Sequence, residues 1–370
     1  MKRVAVLVNG PGEIAGWAKP ACRELKKRGF CVILFILPCQ FSNGREREIA
    51  SEIEADEVHG PSSSLGTILN FRELKVDGVL QLGGDLFFGR ILSFLSKAPM
   101  LCYSYGYKKG MEKCSAVMTA YESMADKIRE RSLKVEVVGD LVRDSIADTA
   151  DTLSLPLEKE KEIANILFLP GSRSFDLPEA RHFLESLGNN IKDRLPKVKI
   201  RTLLPFYADD SDMAMWKKTG LCPARNSMEF SFRASCLAVA PPGTNNIELM
   251  HCGIPAIIVL PFSFLRSVPV PGLKGFVLSM PLIGGMLKDH YLRKADRRTG
   301  YLGWPNRIAG REVQLELRGD ITPGRVADEV VALLSDRQRL EKMREDLLAV
   351  SETSAKDPSL NICNILERLI

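Results

Sequence analysis

Short apolar runs alternate with stretches whose apolar positions recur every three to four residues, and this alternation repeats along most of the chain. Residues 3–8 (RVAVLV) predict a strand, 18–28 a helix, and 31–37 a second strand, apolar on both faces as in the middle of a parallel sheet. Helical spacing over 45–56 and 66–74 is followed by a strand pattern at 78–82 and a helix at 88–97. Three more short strands are expected at 100–105, 116–120 and 135–138. This is a doubly wound α/β pattern. From 148 to 162 (DTADTLSLPLEKEKE) the periodicity lapses into a charged stretch, the expected linker. Beyond it the alternation restarts, with strands at 164–169 and 197–204 and helices at 178–187 and 211–218. Helical patterns at 337–350 and 359–369 close the chain. The expected domains are therefore 1–150 and 163–335, with 336–370 as C-terminal helices.

The stretch 234–260 (ASCLAVAPPGTNNIELMHCGIPAIIVL) packs the most information. An apolar strand over 236–240 runs into Pro241-Pro242-Gly243, Thr244, Asn245 and Asn246 are placed to cap a helix, and Gly253-Ile254-Pro255 stops it before the strand 256–260. Such a helix start would point free N–H groups toward the carboxyl edge of a parallel sheet, where ligands of these folds sit. Glu248, about one turn in, suits a ribose diol, or else is a solvated helix glutamate. After the strand near 169, Leu169-Pro170-Gly171-Ser172-Arg173 joins a glycine turn to an arginine able to clamp phosphate, or else is an ordinary turn with a surface arginine.

The first glycine turn, Asn9-Gly10-Pro11-Gly12-Glu13-Ile14-Ala15-Gly16, contains G-x-G-x-x-A, the beginning of a dinucleotide fingerprint. The second strand, however, ends in Leu37-Pro38-Cys39-Gln40, without the acidic residue a ribose would need, and Glu13 would repel a pyrophosphate. A nicotinamide or flavin cofactor is thus disfavoured, and no cofactor is expected.

Composition narrows the picture. At 370 residues the chain suits two domains, and 45% apolar with 26% charged residues is ordinary for a globular protein. No uninterrupted apolar run reaches the roughly 18 residues of a spanning helix, and the apolar start is too short for a signal peptide, so a cytoplasmic protein is expected. Nine scattered cysteines without a C-x-x-C pair and four dispersed histidines argue against disulfides and against a metal site. The net charge of +5 is mild, and aromatics do not interleave with the basic residues as nucleic-acid stacking platforms would.

LPGSR with an acidic residue three places on, PGTNNIE followed by GIPAIIV, Pro305-Asn306-Arg307-Ile308-Ala309-Gly310-Arg311-Glu312-Val313 and then Thr322-Pro323 stand in an order that resembles lipid-A-disaccharide synthase. The likeness is strongest over 166–336; Gly12 to Gly16, Gly83-Gly84-Asp85-Leu86-Phe87 and Val138-Gly139-Asp140 extend it into the first half. The resemblance implies a GT-B fold, two Rossmann-like domains facing a cleft with the last helices crossing back to the first. It implies transfer of an acylated glucosaminyl unit from UDP to a lipid-linked acceptor. Gly171, Ser172, Arg173, Gly243, Thr244, Asn245, Glu248 and Asn306 would then bind UDP, and Asn9, Gly10 and Gly12 would form a substrate loop. A homodimer is an option it leaves open. Trp17 stands where the family has an aspartate and Asp140 where it has a histidine, so another acceptor is an alternative; so are a non-hydrolysing UDP-sugar epimerase and a nucleotide-sugar binder without turnover.

Transfer to a hydroxyl needs a proton acceptor. Asp85 follows an apolar strand and precedes Leu86-Phe87-Phe88, neighbours expected to enclose it and raise its pKa; Glu13 is the second candidate. The segment 262–304 mixes apolar side chains with Arg293, Lys294, Arg297 and Arg298, and either covers a core or docks on anionic headgroups at the inner face of the cytoplasmic membrane.

Overall fold

A computed structural model of the chain describes residues 1–39, 46–147, 164–171, 178–205, 208–225, 232, 235–267 and 300–370. The chain divides into two compact units, Met1–Asp151 with Ser351–Ile370, and Thr152–Val350.

The first unit holds a parallel seven-stranded sheet made of β1 (Arg3–Val8), β2 (Cys31–Ile36), β3 (Glu57–His59), β4 (Gly78–Leu82), β5 (Met100–Tyr103), β6 (Ala116–Thr119) and β7 (Glu136–Val137), in the order β3-β2-β1-β4-β5-β6-β7. β1 and β2 are buried along nearly their whole length because helices cover both sheet faces, which is why their sequences read as continuous apolar runs. The helix Lys19–Lys27 turns Ala21, Cys22 and Leu25 inward and ends on Lys26 and Lys27, as the helix dipole favours.

The second unit holds a parallel six-stranded sheet of β8 (Asn165–Phe168), β9 (Lys199–Leu203), β10 (Pro223–Ala224), β11 (Leu237–Ala240), β12 (Ala256–Pro261) and β13 (Leu315–Gly319), ordered β10-β9-β8-β11-β12-β13. Two parallel α/β sheets agree with the expected fold class. The strands at 57–59, 223–224 and 315–319 and the helices Glu122–Arg129, Leu141–Ala147 and Pro323–Ser335 are additions to the sequence reading.

The domain limits differ from the expected ones at the C-terminus. The helix Arg337–Glu352 lies mostly in the second unit, tied there by Arg311, which binds Asp346 at 2.9 Å and holds its carboxyl down to about 2, and by Leu348 packing on Gly253. Only 351–370 belong to the first unit. There the helix Pro358–Leu369 buries Ile362, Cys363 and Leu366, packing against the helices Lys19–Lys27 and Leu141–Ala147. The expected linker at 148–162 lies outside the described residues.

Candidate functional site

In each sheet the strand order reverses direction at one place, and in open α/β sheets that crevice at the carboxyl edge is where ligands bind. In the first unit it lies between β1 and β4. The turns leaving these strands are the two glycine segments singled out in the sequence, Asn9–Glu13 and Gly83–Asp85. They touch: a Cβ on Gly84 would lie 3.2 Å from Asn9 Cγ, and one on Gly83 would lie 2.9 Å from the Trp17 ring. Gly83 and Gly84 have φ of +65° and +66°, a left-handed pair that side chains with a Cβ resist. From below, buried Gln81 donates to the Gly83 carbonyl at 2.9 Å. Asn9 Oδ1 is buried without a hydrogen-bond partner, an acceptor held ready at the crevice. Gly10 accepts from Ile14 N–H at 2.8 Å, and Gly12 and Glu13 are half-buried beside it.

Asp85 ends this crevice, but the apolar enclosure expected around it is absent. Its side chain is exposed and caps the helix Leu86–Ser96, Oδ1 accepting from Phe87 N–H at 3.0 Å. The reason is geometric: Leu86 and Phe88 turn into the core, whereas Phe87 turns to solvent. Oδ2 has no hydrogen-bond partner among the described residues, so capping leaves one oxygen able to accept a proton.

In the second unit the reversal lies between β8 and β11, flanked by Leu169-Pro170-Gly171 and by Pro241 to Asn246. Gly171 has φ +82°, so the turn needs a glycine there; Ser172 and Arg173 lie outside the described residues. Between the turns sits an apolar hollow of about 20 Å³ lined by Leu169, Pro170, Val239, Pro241 and Phe264. That volume holds little more than a water or a methyl group. A base ring would need it to open.

The cap of the following helix differs from expectation. Thr244 makes no side-chain cap bond, and Asn246 reaches back instead, accepting from Gly243 N–H at 2.9 Å and donating to the Pro241 carbonyl at 3.2 Å. The helix is seven residues long, and the N–H groups of Asn246, Ile247 and Glu248 already bond to Gly243 and Thr244 carbonyls. Among the described residues, the N–H groups of Thr244 and Asn245 remain without a hydrogen-bond partner from the set expected for a phosphate.

Glu248 is half-buried with no ion-pair partner among the described residues, and burial pushes its carboxyl up to about 7. Near neutral pH it therefore exists in both forms, able to donate or accept. Asn306 corrects the sequence reading. Its side chain is fully buried; Oδ1 accepts from Val313 and Gln314 N–H groups, and Nδ2 donates to the Gln314 carbonyl and to Glu316 Oε1. That exhausts the amide, so Asn306 shapes the turn before β13 and has no group left for a nucleotide.

Sequence reasoning also passed over a surface feature of the first unit. On the helix Leu86–Ser96 the residues Phe87, Arg90 and Phe94, with Lys97 at its end, stand at spacings of three, four and three, and all four are exposed. On the neighbouring helix Ser64–Arg72, Leu65 and Leu69 are exposed with Arg72 one turn on. The exposures are 82% for Phe94, 68% for Leu65, 51% for Phe87 and 49% for Leu69. Neither helix contains an acidic residue. The spacing was readable in the sequence, but only the fold tells which face of each helix the sheet leaves uncovered.

The architecture is of the GT-B class: two parallel-sheet, Rossmann-like domains, each with a crevice at its strand-order reversal. No family model matches the chain. It is 25% identical over 252 residues to the UDP-N-acetylglucosamine–N-acetylmuramyl-(pentapeptide) pyrophosphoryl-undecaprenol N-acetylglucosamine transferase of Rhodopseudomonas palustris (strain HaA2), a match covering 66% of this chain and 59% of that protein's length. Among solved structures it resembles Acinetobacter baumannii MurG (TM-score 0.57, 14% identity) and a UDP-GlcNAc 2-epimerase from Neisseria meningitidis bound to UDP-GlcNAc (TM-score 0.57, 16% identity), each over 100% of both chains. At these identities the two structures speak for the fold alone.

Proposed function

We propose that the protein is a glycosyltransferase that moves an N-acetylglucosamine-type sugar, acylated or not, from UDP to a lipid-linked acceptor. The observation that carries this reading is that the chemically distinctive turns of both units gather at the strand-order reversals of their own sheets. The sequence likeness to a transferase named for a pyrophosphoryl-undecaprenol acceptor, and the motif resemblance to lipid-A-disaccharide synthase, agree on the reaction class and differ on the acceptor. In this reading the second unit takes the nucleotide. Glu248 meets the ribose, Gly171 and the N–H groups of Thr244 and Asn245 meet the diphosphate, and Ser172 and Arg173 join them without a metal. The first unit takes the acceptor along Asn9, Gly10 and Gly12. The acceptor hydroxyl oxygen forms a bond to the anomeric carbon, the bond from that carbon to the diphosphate breaks, and UDP leaves with the electron pair. The hydroxyl proton passes to Asp85, with Glu13 as the second candidate.

The lipid-bearing acceptor suits the exposed face formed by the helices Ser64–Arg72 and Leu86–Ser96. An apolar stripe edged by arginine and lysine, on two helices with no carboxylate between their caps, fits the headgroup layer of an anionic membrane. Among the described residues no helix is long and apolar enough to cross a membrane, so attachment would be peripheral.

Incubation with UDP-N-acetylglucosamine, its acylated forms and a membrane lipid extract, with products read by mass, tests the reading. A lipid heavier by one sugar is expected, together with free UDP. The alternative of a non-hydrolysing UDP-sugar epimerase would give UDP-sugar isomers without any acceptor; proton NMR of the nucleotide sugar separates the two.

A further inference from the structure

Trp17 and Asp140, the two positions at which the chain departs from the family it resembles, are joined through a third residue, Tyr105. Trp17 lies in a five-residue π-helix, Ile14–Ala18, a wide turn that often marks functional sites, and is 5% exposed. Its indole N–H donates to the Tyr105 hydroxyl at 3.3 Å, and that hydroxyl donates to Asp140 Oδ1 at 2.6 Å. Tyr121 donates to Asp140 Oδ2 at 3.1 Å and Val142 N–H to Oδ1 at 3.1 Å, so at least three donors reach the fully buried carboxyl group. Burial first, and then the charge of Asp140, pushes the phenols of Tyr105 and Tyr121 well above their usual range, which keeps both hydroxyls as donors. The Trp17 ring stands edge-on to Tyr103 and Tyr105, with centroids 5.2 and 4.8 Å away, and its far edge fills the space above Gly83. The ring is thus a spacer against Gly83, beside the direct contact of Gly84 with Asn9.

We propose that Tyr105 and Asp140 are positioning residues that lock Trp17 against Gly83, and so set the gap between the Asn9–Glu13 turn and the turn that carries Asp85. The proposal rests on the glycosyl-transfer reading for its effect on rate. A helix-capping role for Asp140 accounts for the Val142 contact and not for the bond from Tyr105, whose hydroxyl joins the carboxylate to the indole. Displacing a reacting group by about 1 Å costs on the order of 10²-fold in rate.

Tyr105→Phe keeps the ring and removes the hydroxyl that bonds the Trp17 indole and Asp140. In this variant kcat for sugar transfer falls by roughly 10- to 100-fold while UDP affinity stays within about twofold, since the proposed donor residues belong to the other unit. Trp17→Phe shows a similar fall, and the double variant is no worse than the poorer single one, because both break the same link. A second measurement does not depend on turnover. The chain has three tryptophans, so 5-fluorotryptophan labelling gives three fluorine resonances, with that of Trp17 assigned by its loss in Trp17→Phe. It shifts in Tyr105→Phe and in Asp140→Asn, whereas those of Trp216 and Trp304 stay. Wild-type kcat in Tyr105→Phe, additive losses, or an unmoved Trp17 resonance each overturn the proposal. If the wild-type protein transfers no sugar, the transfer reading fails, and the fluorine resonance still decides whether Tyr105 and Asp140 hold the spacer.

Discussion

A glutamate whose carboxyl burial pushes up to about 7 makes the protein's stability depend on pH in a definite direction. In the unfolded chain the same group ionises in the ordinary carboxylate range, so between that range and about 7 the unfolded state sheds a proton that the folded state keeps. Stability therefore falls as pH rises through this window and levels off above it. Glu248→Gln should melt like wild type near pH 4 and be more stable at pH 8, by on the order of 1 to 3 kcal/mol. A melting difference that does not change with pH would mean that the carboxyl is hydrated in solution. Asp85 gives a second prediction at this scale. Asparagine caps helices as well as aspartate does, so Asp85→Asn should leave the melting curve nearly unchanged while turnover drops roughly 10²–10⁴-fold, and Asp85→Ala should lose about 1 kcal/mol as well. Full activity in Asp85→Asn would transfer the base role to Glu13. The contrast between Asp85 and Asn306 also marks what single residues reveal in a sequence. Neighbours in sequence gave Asp85 an apolar setting that the direction of Phe87 removes, and the amide of Asn306 is spent on partners at 313–316 that no motif announces.

At the scale of elements, the alternation of strands and helices was readable because parallel strands buried on both faces stay apolar throughout. β1, β2, β4 and β12 lie within a residue of their expected limits. What escaped was either too short to carry a period, like Glu57–His59, or set by packing, like the π-helix at Ile14–Ala18, whose wide turn follows from where Trp17 must sit. The helix Glu122–Arg129 buries Met124, Ala125 and Ile128, a pattern present in the sequence but overshadowed by the strands on either side. The exposed stripe of Phe87, Arg90, Phe94 and Lys97 supports a prediction here. Wild-type protein should co-sediment with anionic vesicles in a salt-sensitive manner, each basic residue near the surface contributing about 1 kcal/mol. Phe87→Ser with Phe94→Ser should weaken that binding at every salt concentration, whereas Arg90→Glu with Lys97→Glu should weaken it chiefly at low salt. If neither pair matters while substitution of Arg293, Lys294, Arg297 and Arg298 does, docking belongs to the segment 262–304.

Over the whole molecule, the first unit is made from the two ends of the chain. Gly139, at φ +100°, approaches the segment so closely that a Cβ would lie 2.3 Å from the Ala355 carbonyl oxygen, and Asp140 N–H donates to Ser354 Oγ at 2.9 Å. Asp144 accepts from Ser359 N–H at 2.9 Å, and Arg28 binds Glu367 at 2.7 Å. Gly139→Ala should cost more than about 2 kcal/mol, since it meets both a forbidden backbone region and a carbonyl that cannot move aside. Removing 351–370 should strip the cover from Gly78 and from the helix Lys19–Lys27, so that the first unit melts early or not cooperatively while the second keeps its transition in calorimetry. A single unchanged transition would refute this dependence. Composition and pattern indicated two domains and the glycine turns at their strand-order reversals; that the last helix but one stays with the second unit depended on Arg311 and Asp346, 35 positions apart.

Because residues 351–370 are translated after the whole second unit, the ribosome delivers the parts of the first unit out of order. The seven strands emerge early and must wait, incompletely covered, while some 200 further residues are made. The second unit, continuous in sequence, can close in the meantime. A nascent chain stalled before Ser351 would hold a complete second unit and, in the first, a sheet still lacking the helix Pro358–Leu369, an exposed apolar surface of the kind chaperones and proteases recognise. The first unit can therefore close only after Ile362 and Leu366 have emerged.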